Sequence, residues 1–77
     1  MSVELQDVCR TVGLVLGRRD VAAGSRLVED LGAESADVLN IVATVEEKYG
    51  ISIDDAEVPS VRTAADLHHL ISRLVAC

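Results

Sequence analysis

A chain of 77 residues carrying a net charge of −6 makes one domain at most, and its core is marginal unless something reinforces it. Hydrophobic residues make up 49% of it but aromatics only 1%, so the core is aliphatic, stacking platforms for single-stranded nucleic acid are lacking, and a phosphate backbone is repelled. No apolar run approaches the roughly 20 residues that span a bilayer, and the first residues lack the basic start and apolar stretch of a signal peptide. The expectation is a cytoplasmic protein with no membrane span and no nucleic-acid partner.

In chain order, Leu5, Val8, Val12, Val15 and Leu16 recur at helical spacing and predict a helix over about residues 3–17, with Gly17 as its stop. Cys9 lies in this helix and Cys77 at the far end of the chain; without close spacing or a secretory signal both read as free thiols. Pairing of Cys9 with His68 or His69 for catalysis has no local support, and a small buried hydrophobe accounts for Cys9. Residues 18–34 keep no period and contain Gly24, Ser25 and Gly32, so they form a long loop. Leu27, Val28 and Leu31 are the residues expected to pin it to the core.

From Ser35 to Tyr49 the apolar residues Val38, Ile41, Val42, Val45 and Tyr49 fall on one face of a helix. Ser35 is placed as its N-cap, Asp37 lies in its first turn, and Gly50 follows as a residue able to take a left-handed conformation. Asp54 to Val58 form one short helical turn closed by Pro59. Thr63 and Asp66 have the spacing of a capping box, and Leu67, Leu70, Ile71, Leu74 and Val75 then mark a last helix over 64–76. No segment alternates as a strand does. The predicted fold is all-α: a small four-helix bundle of three main helices and a short one, with the long loop after the first, as a single domain over residues 1–77.

The charge is uneven. Residues 29–57 hold nine acids against Lys48 alone, which fits either a docking face for an electropositive partner or a solvated acidic surface. Within that stretch Ser35 stands at a helix start after a long loop, between Glu34 and Asp37. Local chemistry alone favours a simple helix cap. The helix also carries a second apolar stripe, however, Ala36, Leu39 and Ala43, leading to Glu46 and Glu47. A helix whose core face is already supplied has no structural need for an apolar residue at 39; an apolar contact rimmed by acids is the form of a transient docking surface.

These residues resemble the acyl carrier protein family. Its pattern of a leucine, Asp-Leu-Gly, a variable residue, Asp-Ser-Leu-Asp and a helix ending in Glu-Glu and an aromatic is met here by Leu27, Asp30-Leu31-Gly32, Glu34-Ser35-Ala36-Asp37, Glu46-Glu47 and Tyr49. The match runs on through Gly50-Ile51-Ser52-Ile53 and the threonine-capped last helix. The resemblance implies a carrier and not an enzyme, with 4′-phosphopantetheine attached to Ser35 by a phosphopantetheinyl transferase and acyl groups held on it as thioesters. It also implies docking of acyl-processing enzymes, through basic patches, on Glu34, Ala36, Asp37, Leu39, Ala43, Glu46 and Glu47, and a monomer. Glu34 replaces the usual aspartate, Ala36 the usual leucine, and Asn40 an acid found in many members. The last two point toward a specialised carrier in fatty acid, polyketide or secondary metabolism.

Three other functions are compatible with parts of this pattern. Gly32-Ala33-Glu34-Ser35 lacks the Gly-Gly-His-Ser type of motif usual in aminoacyl or peptidyl carriers. A helical interaction module of the same fold that never receives the arm stays open. A hydrolase using Ser35 as nucleophile has no histidine near that serine in sequence. His68 and His69 are adjacent on one helix and diverge, and Asp54, Asp55 and Glu57 do not match a calcium-loop spacing, so no metal site is expected.

Overall fold

The computed structural model describes residues 3–76. It contains α1 (Leu5–Leu16), α2 (Ser35–Tyr49), a short 3-10 helix (Asp55–Ser60) and α3 (Ala64–Ala76). No strand occurs among the described residues; a lone antiparallel bridge joins Arg26 to Thr63.

Helix α1 is slightly shorter than its periodicity predicts, because Glu4 is already extended at φ −88° and ψ 138°. Its end is set by Gly17, which takes the left-handed conformation at φ 70°. The Gly13 carbonyl accepts the Gly17 N–H and also the Arg18 N–H, the latter at 2.8 Å, the backward bond that closes a helix end at a left-handed residue. Helix α2 ends the same way: Gly50 has φ 64°, and the Ile51 N–H reaches the Glu46 carbonyl at 3.1 Å. Gly13 itself is buried. A Cβ there would collide with the Arg18 carbonyl oxygen, so the returning chain needs a residue with no side chain.

The last helix begins as its sequence predicts. The Asp66 N–H donates to Thr63 Oγ1 at 3.1 Å and the Thr63 N–H to the Asp66 carboxylate at 3.2 Å, the reciprocal box that closes a helix start. The 3-10 helix departs from expectation by running through Pro59 to Ser60. Asp54 caps it by accepting the Ala56 N–H at 3.0 Å. A proline keeps φ near the helical value and removes only one donor, so the turn continues until Val61, whose backbone is extended.

Val8, Val12, Leu27, Ile41, Val45, Leu67 and Ile71 are fully buried and make the aliphatic core that the composition demands. Each such side chain stabilises the fold by about 1.5–3 kcal/mol relative to exposure. Helix α1 packs against both α2 and α3. Buried Thr11 joins α1 to α2: its hydroxyl donates to the Asp7 carbonyl at 2.9 Å and accepts from Lys48 Nζ at 3.2 Å.

The long loop is stitched down along its length. Asp30 accepts the Arg26 N–H and pairs with the Arg26 guanidinium at 3.0 Å, and these hydrogen bonds hold its carboxyl below the usual carboxylate value. The Leu27 N–H donates to the Arg62 carbonyl at 2.8 Å and the Ala65 N–H to the Ala23 carbonyl at 2.9 Å. Leu27 and Leu31 are buried as expected, but Val28 is 57% exposed. Leu27 already fills the core position, so its neighbour turns outward, and the expected role of Val28 as a pin is corrected.

Replacing Gly13 by alanine is expected to lower stability by about 1–3 kcal/mol through the clash with Arg18. Urea unfolding reads this as a lower midpoint, and a midpoint equal to that of the unmodified sequence would show that the turn yields freely.

Candidate functional site

The chain reaches α2 through Gly32, whose φ of 68° is a left-handed turn that glycine takes without cost. Ala33 is then buried, and its N–H donates to the Leu27 carbonyl at 2.9 Å. These two contacts fix where the helix starts. Ser35 is not the N-cap. Glu34 holds that place with an extended backbone, its carbonyl accepting the Val38 N–H at 3.0 Å, while Asp37 reaches back to accept the Glu34 N–H at 3.0 Å. An aspartate three residues into a helix does here what glutamate does in the usual capping box. Ser35 is therefore the first residue of the helix proper. Its side chain is exposed and, among the described residues, makes no hydrogen bond.

Ser35 opens onto a groove of about 630 Å³. One wall is α2, with Val38 and Leu39; the opposite wall is the 3-10 helix, with Val58 and Pro59. Val61 is buried in the groove, and Val28 and Glu29 of the loop, with Arg62 before α3, complete it. Helices α2 and α3 contact each other less than either contacts α1. An exposed hydroxyl, free of capping and opening onto an apolar groove, fits the attachment of a flexible arm at Oγ.

The predicted docking residues divide in two. Glu34, Ala36, Leu39, Ala43 and Glu47 are exposed, Leu39 by 57%, and they form the second apolar stripe with acids at its ends. Asp37 and Glu46 are half-buried and carry structural bonds. Asp37 closes the cap, and Glu46 accepts the Ile53 N–H at 2.8 Å. Nothing in the spacing of Glu46-Glu47 tells the two apart; only the return of the chain after Gly50 brings Ile53 beneath Glu46. The groove residues Val28, Val58, Pro59 and Arg62 were not legible as site residues, since they come from separate segments and share no motif.

The remaining candidates are structural. His68 Nε2 lies 2.8 Å from the Val3 carbonyl and 3.4 Å from Ser72 Oγ, while His69 is exposed. Cys9 is half-buried, burial pushes its thiol up, and no hydrogen bond joins it to either histidine. Cys77 lies outside the described residues. Glu57 pairs with Arg73. No group of three or more metal-ligating side chains occurs among the described residues, and no described helix is long and apolar enough to cross a membrane.

Comparison with known proteins bears on this arrangement. A sequence model described as "Phosphopantetheine attachment site" matches residues 6–71. The chain is similar to the acyl carrier protein of Wolinella succinogenes, 44% identical over 48 residues that span 62% of this chain and 63% of that protein. It is similar to the acyl carrier protein of Campylobacter hominis, 41% identical over 70% of this chain and 68% of that protein. Acyl carrier protein 2, chloroplastic, of Hordeum vulgare is 36% identical over 92% of this chain and 57% of its own length. Among solved structures, the solution structure of the acetyl actinorhodin acyl carrier protein from Streptomyces coelicolor superposes with a TM-score of 0.77 at 28% identity, covering 96% of this chain and 92% of that one.

The division of the acids is open to measurement. Glu46→Ala leaves the Ile53 N–H without its acceptor and is expected to cost about 1–3 kcal/mol, whereas Glu47→Ala changes stability by less than about 0.5 kcal/mol. Equal melting of the two variants would contradict the structural role given to Glu46.

Proposed function

This chain belongs to the acyl carrier protein family, and on that premise we propose that Ser35 takes up the 4′-phosphopantetheine arm. Residues 1–77 then act as one carrier domain, monomeric and cytoplasmic. The observation that carries the reading is the Ser35 hydroxyl itself: exposed, relieved of capping by Glu34 and Asp37, and set at the mouth of the groove. When bound, the arm supplies a terminal thiol that holds acyl groups as thioesters.

In the modification step, Ser35 Oγ forms a phosphodiester with the phosphopantetheine phosphorus of coenzyme A. The bond to 3′,5′-ADP breaks, and the hydroxyl proton passes to a base of the phosphopantetheinyl transferase. The carrier itself catalyses nothing. Its residues place the modified serine in a partner's active site, where tethering raises the effective concentration of the cargo.

Docking falls to the exposed face of α2. Leu39 and Ala43 give the apolar contact, Glu34 and Glu47 steer a basic patch toward it, and Asp37 keeps the helix start in shape while adding its charge. Such charges raise the rate of encounter more than they raise affinity. Ala36 leaves a smaller side chain beside Ser35 than the family's leucine. With the likeness to the actinorhodin carrier, it supports a specialised pathway, polyketide or other secondary metabolism, over general fatty acid synthesis.

Incubation with coenzyme A and a broad-specificity phosphopantetheinyl transferase is expected to add one arm to the protein, read by intact mass, and none to Ser35→Ala. An unmodified wild-type chain would point to an interaction module that keeps the fold without the arm. Leu39→Glu is expected to slow acyl loading by partner enzymes about tenfold while thermal unfolding stays unchanged. A fall in melting temperature instead would place Leu39 in the core.

A further inference from the structure

We propose that Arg62 holds the phosphodiester formed on Ser35 and so lays the first part of the arm along the groove; this rests on the reading of Ser35 given above. The groove contains one cation, Arg62, and one acid, Glu29. The main chain of Arg62 is held on both sides, its carbonyl accepting the Leu27 N–H at 2.8 Å and its N–H donating to the Asp66 carboxylate at 3.2 Å. Its guanidinium is different. Among the described residues Arg10, Arg18, Arg26 and Arg73 each pair with a carboxylate; Arg19 and Arg62 have no such partner, and of these two only Arg62 lines the Ser35 groove.

The charge around Ser35 makes that vacancy informative. A phosphodiester at Oγ adds a negative charge beside Glu34, Asp37 and Glu29, in a stretch where nine acids face one lysine. The helix N-terminus offsets part of this repulsion through its open N–H groups. The remaining compensation has one source within the groove, a guanidinium whose planar fork matches two phosphate oxygens.

The pairing positions the arm; it does not bury it. Arg62 is exposed, and ion pairs in contact with water are weak and screened by salt. The arm therefore exchanges between a state lying against Leu39 and Val61 and a state free to enter a partner. Both are needed, since a carrier has to shield its cargo and then release it.

The test uses wild type, Arg62→Ala and Arg62→Lys, each loaded with the arm and checked by intact mass. Arginine side-chain and backbone amide signals are compared by NMR before and after loading. In wild type the Arg62 Nε–Hε signal and the amides of Val28 and Leu39 are expected to shift on loading. The docked population should fall about two- to fivefold between low and high salt, in keeping with an exposed ion pair. Arg62→Ala should lose the Val28 and Leu39 shifts while signals elsewhere stay as in wild type, and Arg62→Lys should keep much of them at low salt. Equal shifts in wild type and Arg62→Ala, with the arm present on both, overturn the role of Arg62 and leave Ser35 untouched. Failure of wild type to accept the arm overturns the reading of Ser35 and this inference with it.

Discussion

The peptide of Leu27 is the joint on which the arrangement turns. Its side chain is fully buried, its N–H binds the Arg62 carbonyl, and its carbonyl accepts the Ala33 N–H. One residue of a long loop thereby fixes the lead-in to α3 on one side and the lead-in to α2 on the other. Ser35 and Arg62 are 27 positions apart in the numbering, yet each is within two positions of a residue bonded to this peptide or is that residue. Both residues line the groove.

The core explains why the loop has to be built so carefully. With aromatics at 1%, the interior is filled by small branched side chains, which contribute less apolar area each than rings do. Loop residues have to serve as core residues, and Leu27, Leu31 and Ala33 do so. The close return of the chain over Gly13 and the left-handed ends at Gly17 and Gly50 are the backbone side of the same economy. They bring connecting segments near enough to the helices to be packed.

Legibility in the sequence follows the range of the interactions. The last helix was readable to the residue, because its start is a box between Thr63 and Asp66 and its face repeats with the helical period; both signals are local. The end of α2 at Gly50 was local for the same reason. The start of α2 differs by one position from what the sequence predicts, because serine is the commoner cap and the bond from Glu34 to Asp37 is made by residue types that also fit a solvated surface. The outward turn of Val28 and the bond of Glu46 to the Ile53 N–H depend on longer-range contacts. Which of two adjacent apolar residues faces inward, or which of two adjacent acids meets a backbone donor, depends on segments that the period of either helix does not describe. The outward stripe of Ala36, Leu39 and Ala43 was legible as a surplus of apolar residues, and its exposure agrees.

Placing the cap on Glu34 and Asp37 separates two duties that one serine would otherwise combine. If the Ser35 hydroxyl closed the helix, every modification of its oxygen would remove a bond from the fold, and the unmodified and modified forms would differ in stability. Here the helix start is complete before anything is added at Oγ. If Ser35 takes the arm as proposed, attachment at Oγ removes no hydrogen bond from the helix start, and the forms before and after attachment share one scaffold.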